Sequence, residues 1–209
     1  MGKLIVTEFM TLDGVAQAPG GPEEDPEGGF THGGWQAPLI QADDAQTGGD
    51  ELLEEASRMD ALLLGRRTYE IFAGFWPNAP KEDPFTDLLN RVPKYVASRT
   101  LTEPLEWNES TLLQGDLPAA VAEIKDRHDE VHVIGSLDLV QSLLQERLVD
   151  RLRLWQYPLV LGTGKRVFAH GTVPAALRLT HSATHPNGSL QLTYELAGEP
   201  TYGDMTVID

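Results

Sequence analysis

Short apolar runs rich in branched residues alternate along the chain with segments whose apolar residues recur at helical spacing. Residues 3–10 form the first such run and predict a strand. Residues 50–60, "DELLEEASRMD", predict a helix because Leu52, Leu53 and Ala56 share one face. Further strands and helices are predicted at residues 61–72, 94–98, 116–127 (where Asp116 is the expected N-cap) and 131–144.

The pattern changes near the end of the chain. "RLRLWQYPLVL", residues 151–161, predicts a strand that breaks at Pro158. The alternating runs "ALRLTHSAT" and "SLQLTYELA" flank "HPNG" and predict a terminal hairpin. Strands that alternate with helices imply a mixed, mostly parallel sheet with helices on both faces and an antiparallel hairpin at its edge. We predict one α/β domain over residues 1–197 and a tail or arm over residues 198–209.

Residues 14–34 interrupt this alternation with a long stretch of glycine, proline and acidic residues. Such a stretch is uncommon inside a compact domain, where it often serves as a lid or binding loop. A disordered insertion explains the same composition. The sequence leaves both alternatives open.

Composition and charge narrow the classes of partner. No apolar run is long enough to cross a bilayer, and the amino end lacks the pattern of a signal peptide. The chain has no cysteine, which excludes disulfides and thiol nucleophiles and fits a cytoplasmic location. Its net charge of −16 argues against nucleic acid and anionic membranes as partners. A phosphate site must therefore be a local basic or amide-rich spot.

Several common sites are missing from the sequence. No G-x-G-x-x-G follows the first strand, and "GTGKRVF" lacks the spacing of a phosphate loop. H-E-x-x-H and G-x-S-x-G are also missing. We interpret His181 and His185 as hairpin histidines, so no metal site is predicted. The acids Glu23, Glu24, Asp25 and Glu27 are interpreted as a solvated loop.

Three predicted strand ends carry glycine, hydroxyl or arginine residues. Ligands of open α/β sheets collect beyond the carboxyl ends of strands, where helix amino ends suit phosphate groups. Three such ends together suit a ligand with separated phosphates, such as a dinucleotide. For each end alone, a tight glycine turn or a solvated arginine is the alternative. The residues are Gly65, Arg66, Arg67 and Thr68; Ser98, Arg99 and Thr100; and Gly135, Ser136 and Leu137.

These residues belong to stretches that resemble the superfamily of dihydrofolate reductase and the reductase domain of riboflavin biosynthesis. The match is closest to stand-alone bacterial proteins of the reductase-domain type, and it runs in the family's order from about residue 3 to residue 195. The resemblance implies a mixed sheet with flanking helices that binds NADPH. The stretches are "VTEFMTLDGV", "LLLGRRTYEIF", "KYVASRTL", "VHVIGSLDLVQSLLQERLVDRLRLWQYPLVLGTGKRVF" and "LTYE".

The resemblance also implies roles for residues. The turn 65–68 resembles the helix start that holds cofactor phosphates, and residues 98–100 resemble the loop around the adenosine 2′-phosphate. Arg99 in that loop favours NADPH over NADH. Residues 135–137 resemble the loop under the nicotinamide and pyrophosphate, although Ser136 stands where dihydrofolate reductases carry a second glycine. "TLDGV" resembles the start of a mobile loop, which would place Asp13 and Gly14 near the reaction centre.

The function implied is hydride transfer from NADPH to a conjugated C=N or C=O carbon of a small heterocyclic, pyrimidine- or pterin-like substrate. The enzyme resembled is 5-amino-6-(5-phosphoribosylamino)uracil reductase, although no basic cluster for a ribose phosphate is apparent. Asp13, Asp44 or water would supply the proton. Trp35 would stack on a planar substrate or simply pack, and Tyr157 would form part of the pocket wall.

Two other functions stay open. The chain would be a non-catalytic NADPH-binding or regulatory module if it kept the cofactor site and lost its substrate. It would be an interaction protein if the three turns were only structural. Relatives with this domain commonly pair through sheet edges and carboxyl-terminal strands, so we expect a homodimer.

Overall fold

The structure, a computed structural model, describes residues 1–41 and 48–206, in which eight strands form one sheet. The strand order is β4-β3-β2-β5-β1-β6-β8-β7. All neighbours from β4 to β6 run parallel, whereas β8 is antiparallel to both β6 and β7. The predicted α/β fold with a mostly parallel sheet and a terminal antiparallel hairpin is confirmed.

The elements follow the hydrophobic pattern closely. The strand that was expected to break at Pro158 ends one residue earlier, at Tyr157. The strands are β1 (Lys3–Thr11), β2 (Ala61–Gly65), β3 (Lys94–Ala97), β4 (Ser110–Leu112), β5 (Glu130–Ile134), β6 (Arg151–Tyr157), β7 (Leu177–Thr184) and β8 (Leu190–Leu196). The helices are α1 (Ala37–Ile40), α2 (Gly49–Ala56), α3 (Arg66–Phe75), α4 (Pro84–Arg91), α5 (Leu117–Arg127) and α6 (Leu137–Gln145).

Three of these elements were not predicted: α1, α4 and β4. The helix α4 begins with a proline behind Asp83, whose carboxylate accepts a hydrogen bond from the Phe85 amide at 2.9 Å. That arrangement is a regular helix start. The strand β4 has only three residues, which is too few to show an alternating pattern.

Apolar side chains form cores on both faces of the sheet. On one face Leu4 and Val6 of β1 pack with residues of α5 and α6. On the other face Leu62 and Leu64 of β2 pack with residues of α3 and α4. Both cores leave the carboxyl ends of the parallel strands uncovered, and the cavity described below lies there.

Residues 14–34 pack against the sheet. Val15, Phe30 and Trp35 form a buried cluster with Trp155 and Tyr157 of β6. This packing favours a binding loop over a disordered insertion, and we call residues 14–34 the lid loop. None of the helices within the described residues is long and apolar enough to span a membrane.

Candidate functional site

A cavity of about 660 Å³ lies at the carboxyl ends of β1, β2, β3 and β5. Cofactor and small-molecule sites commonly have volumes of about 300–1,000 Å³. The structure brings all three predicted strand ends together in its wall, because neighbouring parallel strands end at the same edge of the sheet. The ten predicted cofactor residues that line it are Gly65, Arg66, Arg67, Thr68, Ser98, Arg99, Thr100, Gly135, Ser136 and Leu137.

The first turns of two helices open into this cavity. Helix α3 follows its N-cap residue Gly65, and helix α6 follows its N-cap residue Ser136. In neither helix does the side chain of the N-cap residue accept a hydrogen bond from a first-turn amide. The first amides of both helices are therefore available to an acceptor in the cavity. Such amides, together with the helix dipole, suit a phosphate group.

Ser136 joins these two turns. Its backbone is left-handed, with φ 66° and ψ 49°. Its hydroxyl accepts a hydrogen bond from the Gly65 amide at 2.8 Å. Ser136 is thus the N-cap residue of α6, but its side chain serves the neighbouring turn instead of its own helix.

We expect Ser136→Ala to reduce the free energy of unfolding by about 0.5–1 kcal/mol more than Ser136→Gly does. Both variants lose the hydrogen bond to Gly65, whereas only glycine adopts the left-handed backbone without strain. Chemical denaturation measures the difference, with Ser142→Ala, an exposed serine of the same helix, as the control. Equal losses in the two variants at position 136 would show that the backbone there is unstrained.

The three predicted arginines differ in their partners. Arg66 pairs with Glu70 of its own helix at 3.1 Å. Arg67 pairs with Asp25 at 3.1 Å and with Glu27, both from the lid loop. Arg99 is exposed, and among the described residues it takes part in no ion pair. Arg99 is therefore the arginine most accessible to a ligand.

Lys165 completes an ion-pair cluster between the lid loop and the cavity wall. Its ammonium group contacts Asp25 at 2.8 Å and also contacts Glu27. The hydrogen bonds from Arg67 and Lys165 hold the pKa of Glu27 at about 2. The prediction that the lid-loop acids are merely solvated is wrong for Asp25 and Glu27. Sequence reasoning also missed Lys165, which lies in "GTGKRVF" and reaches the cavity because this loop pairs with residues 14–16 after β1.

Gln17 fixes the same part of the lid loop. Its side-chain amide nitrogen donates to the carbonyls of Asp25 and Glu27, both at 3.0 Å. Its side-chain oxygen accepts from the Lys165 amide at 3.0 Å. The lid loop is thus held to the loop after β6 by neutral as well as charged contacts.

The structure places Asp13 outside the wall of the cavity. Its carboxylate accepts hydrogen bonds from the Thr11 hydroxyl at 2.5 Å and from the Gly162 amide at 2.8 Å. These bonds, the Thr11 bond first, lower the pKa of Asp13 to about 2. A carboxylate that accepts hydrogen bonds from backbone amides in this way stabilises the local turn. The predicted catalytic role of Asp13 is not supported by this placement, and Gly14, in the same turn, also lies outside the wall.

Trp35 and Tyr157 lie behind the cavity wall. Trp35 is 8% exposed, and its indole nitrogen donates to the Gln17 carbonyl at 2.9 Å. Its ring meets the Tyr157 ring edge to face at 5.7 Å. The Tyr157 hydroxyl accepts a hydrogen bond from Gln36 at 2.7 Å, and Gln36 lines the cavity whereas Trp35 and Tyr157 do not. Trp35 therefore packs behind the wall, and Gln36 separates Tyr157 from the cavity.

The remaining candidates lie elsewhere. Asp44 falls outside the described residues. His181 borders a separate cavity of about 310 Å³ that is lined by residues of α2 and of the strands β6, β7 and β8. His185 stacks on Trp155 at 5.2 Å. Within residues 1–41 and 48–206, no group of three histidine or acidic side chains is arranged to hold a metal ion.

Comparison with known proteins gives one matching family and several similar folds. The profile of the RibD C-terminal domain family matches residues 2–190. The uncharacterized Bacillus subtilis protein YyaP is 25% identical over 206 residues, which cover 94% of this chain and 96% of the relative.

Two solved structures share the fold. A Shewanella sp. PV-4 protein, provisionally named a riboflavin biosynthesis protein, has a TM-score of 0.69 and 23% identity over 93% of this chain and 99% of its own. The Thermotoga maritima diaminohydroxyphosphoribosylaminopyrimidine deaminase/5-amino-6-(5-phosphoribosylamino)uracil reductase has a TM-score of 0.60 and 13% identity. That match covers 94% of this chain and 57% of the Thermotoga protein.

Proposed function

The chain belongs to the RibD C-terminal domain family, and from this membership we propose that it is an NADPH-dependent reductase. Its substrate is a small heterocyclic molecule, of the pyrimidine or pterin type, with a reducible C=N or C=O bond. One observation carries the proposal: three strand ends, two helix starts without a side-chain cap and the exposed Arg99 meet in one cavity.

The residues of the cavity fit a dinucleotide with an additional phosphate. The amides that follow Gly65 and Ser136 would hold the pyrophosphate, because two helix starts there face one space. Ser98, Arg99 and Thr100 would hold the 2′-phosphate at the other end of the wall. The Ser98 hydroxyl already accepts hydrogen bonds from the amides of Thr100 and Leu101 at 3.1 and 3.0 Å, so it is oriented to donate its own proton.

The protein itself would position the two reactants and exclude water. NADPH supplies the hydride when it is bound. The lid-loop residues Ala16, Gln17 and Ala18 line the same cavity as Leu137 and would close over the reacting groups. Gln36 presents an amide at the same end, where it would orient a polar heterocycle.

The ion-pair cluster of the lid loop bears directly on cofactor binding. Arg67 lies at the start of α3, where a phosphate would bind. In this structure its guanidinium group forms ion pairs with Asp25 and Glu27. A phosphate and these two carboxylates compete for the same cation. The lid loop therefore lowers the affinity for NADPH until the phosphate displaces its acids.

Removing this competition should strengthen cofactor binding. We expect Asp25→Asn combined with Glu27→Gln to raise the affinity for NADPH about fivefold, since exposed ion pairs are each worth about 0.2–1 kcal/mol. The gain should shrink at high salt. Calorimetric titration with NADPH measures it, and Glu82→Gln with Glu106→Gln, two exposed acids outside the cavity, is the charge-matched control. An affinity that falls in the lid variant would mean that the acids help to shape the site.

Turnover tests the proposed activity. Loss of NADPH absorbance should be detected with at least one member of a panel of pterins, phosphoribosylamino-pyrimidines and simple carbonyl compounds. Tight NADPH binding with no turnover of any panel member would favour the non-catalytic NADPH-binding or regulatory module.

We also propose a homodimer that uses the edge strand β7. Almost all residues of this strand are exposed, and Leu177 and Leu179 are 39% and 49% exposed. Sedimentation should give about twice the chain mass of 23.0 kDa. Leu179→Lys should shift the protein toward the monomer, and a monomeric wild type would refute this assembly.

A further inference from the structure

A buried carboxyl group lies in the wall of the cavity and has no part in the contacts described above. Glu8, in β1, is 2% exposed and lines the cavity. Its Oε1 atom is buried and has no hydrogen-bond partner in the described part of the chain. Buried polar atoms normally have partners, so an unpartnered one that borders a ligand-sized space points to a ligand.

The strand register explains why Glu8 faces open space. Thr7 pairs with Ile134, which is the last pair between β1 and β5. Glu8 therefore lies one residue further on, at the point where β5 gives way to the Gly135 turn. On its other side Glu8 pairs with Leu154 of β6. Its position is the point at which the central sheet opens toward the cavity.

The surroundings of Glu8 are apolar. The neighbours two residues away on the same strand face, Val6 and Met10, belong to hydrophobic clusters. The charged cavity residues on the elements around β1 are Asp138 of α6, Glu24 and Asp25 of the lid loop, and Lys165. In the described structure none of these four forms an ion pair or hydrogen bond with Glu8.

Burial alone accordingly raises the pKa of Glu8 from 4.5 to about 8. At neutral pH the side chain is a neutral carboxylic acid with one proton to donate. A neutral acid next to a reactive centre is a recurring arrangement for general acid catalysis. Asp13, one of the proton donors that the sequence left open, is held as a carboxylate outside the cavity and has no such proton.

We propose that Glu8 is the proton donor of this site, an inference that rests on the proposed reductase function. In the step, the hydride that NADPH would give up in becoming NADP⁺ adds to the carbon of the C=N or C=O bond, and the π electron pair moves onto the nitrogen or oxygen. That atom takes the proton from the Glu8 carboxyl group as the O–H bond breaks. The Glu8 carboxylate then regains a proton from water, so the net change is addition of one hydride and one proton to the substrate.

Binding of the oxidised cofactor tests the location and protonation of Glu8 without turnover. The nicotinamide ring of NADP⁺ is positively charged, whereas that of NADPH is neutral. A positive charge beside a carboxyl group lowers its pKa by about 1–3 units, so NADP⁺ binding at pH 7 should release about 0.4–0.9 proton more than NADPH binding does. Any proton that the 2′-phosphate takes up or releases on binding contributes equally to both titrations, because both cofactors carry this group. Calorimetry in two buffers of different ionisation enthalpy measures the difference.

Two variants make the result specific. Glu8→Gln, which keeps the shape of the side chain, and Glu8→Leu, which suits the apolar surroundings, should bind both cofactors and release no additional proton with NADP⁺. Equal release from wild type and both variants would overturn the inference while leaving the reductase proposal intact. Failure of both cofactors to bind the wild type would overturn the reductase proposal itself, and the inference with it.

Turnover provides the second readout. With the compound that the NADPH assay identifies, Glu8→Gln should lower kcat about 10²- to 10⁴-fold, the usual contribution of a general acid, and change KM for NADPH only slightly. The wild-type kcat/KM should decline as pH rises through about 8. An unchanged kcat in Glu8→Gln would exclude Glu8 as the donor.

Discussion

Between pH 5 and pH 9 the free energy of unfolding of the wild-type protein should fall by about 4 kcal/mol more than that of Glu8→Gln. The folded protein binds the Glu8 proton with a pKa of about 8, whereas the ordinary value is 4.5. Between these values the folded state carries a proton that the unfolded state has lost, so stability decreases as pH rises. Below pH 4.5 both states are protonated, and above pH 8 both are ionised. Denaturant titrations at several pH values measure the difference.

The comparison with Glu8→Gln removes the contribution of other groups. Asp13 and Glu27, whose pKa values are lowered to about 2, lose their stabilising effect only in strong acid, outside this range. Glu82→Gln, at an exposed position, serves as the matched carboxamide control and should follow the wild type. Parallel curves for wild type and Glu8→Gln would show that Glu8 is ionised in the folded protein, and the proton-donor inference would then fail.

Arg99→Ala should weaken NADPH binding about 10- to 100-fold and leave NADH binding nearly unchanged. Hydrogen bonds to a charged group contribute about 1.5–3 kcal/mol, and the 2′-phosphate distinguishes the two cofactors. Arg99 lines the cavity, and within the described residues no acid competes for it as Asp25 and Glu27 compete for Arg67. Parallel titrations with NADPH and NADH measure the change in selectivity.

A second arginine provides the control for this experiment. Arg91 is exposed at the end of α4, outside the cavity wall, so Arg91→Ala changes the net charge equally. It should weaken NADPH binding little. Equal losses of NADPH and NADH affinity in Arg99→Ala would place Arg99 away from the 2′-phosphate.

Most of the fold was predictable. The parallel strands are short apolar runs, the hairpin strands alternate apolar and polar residues, and most of the helices have a clear apolar face. The helix α4 was predictable in principle, since Asp83 and the proline after it are a helix-start signal followed by the buried Leu88 and Leu89. The edge strand β4 was not, because its three residues, 110–112, carry no periodicity. Its position depends on pairing with β3, which is a tertiary contact.

The site, like the fold, has parts that the sequence predicted and parts that it did not. The strand ends at Gly65, Ser98 and Gly135 predicted a shared cavity because parallel neighbours end at one edge. The roles of lid-loop side chains were not predictable, since they depend on the path of a loop without regular structure. Glu8 left a signal that the sequence analysis missed: it is an acid in the middle of an otherwise strongly apolar strand. A lone carboxyl at such a position is costly to bury and therefore worth testing as a functional group.

Titration of the wild-type protein with NADPH and with NADH shows directly whether the cavity is a nicotinamide dinucleotide phosphate site. We expect one NADPH per chain, bound at least about tenfold more tightly than NADH. The NADPH affinity should fall steeply with salt, because phosphate contacts dominate the binding. No binding of either cofactor at about millimolar concentration would exclude such a site, whatever the fold of the protein.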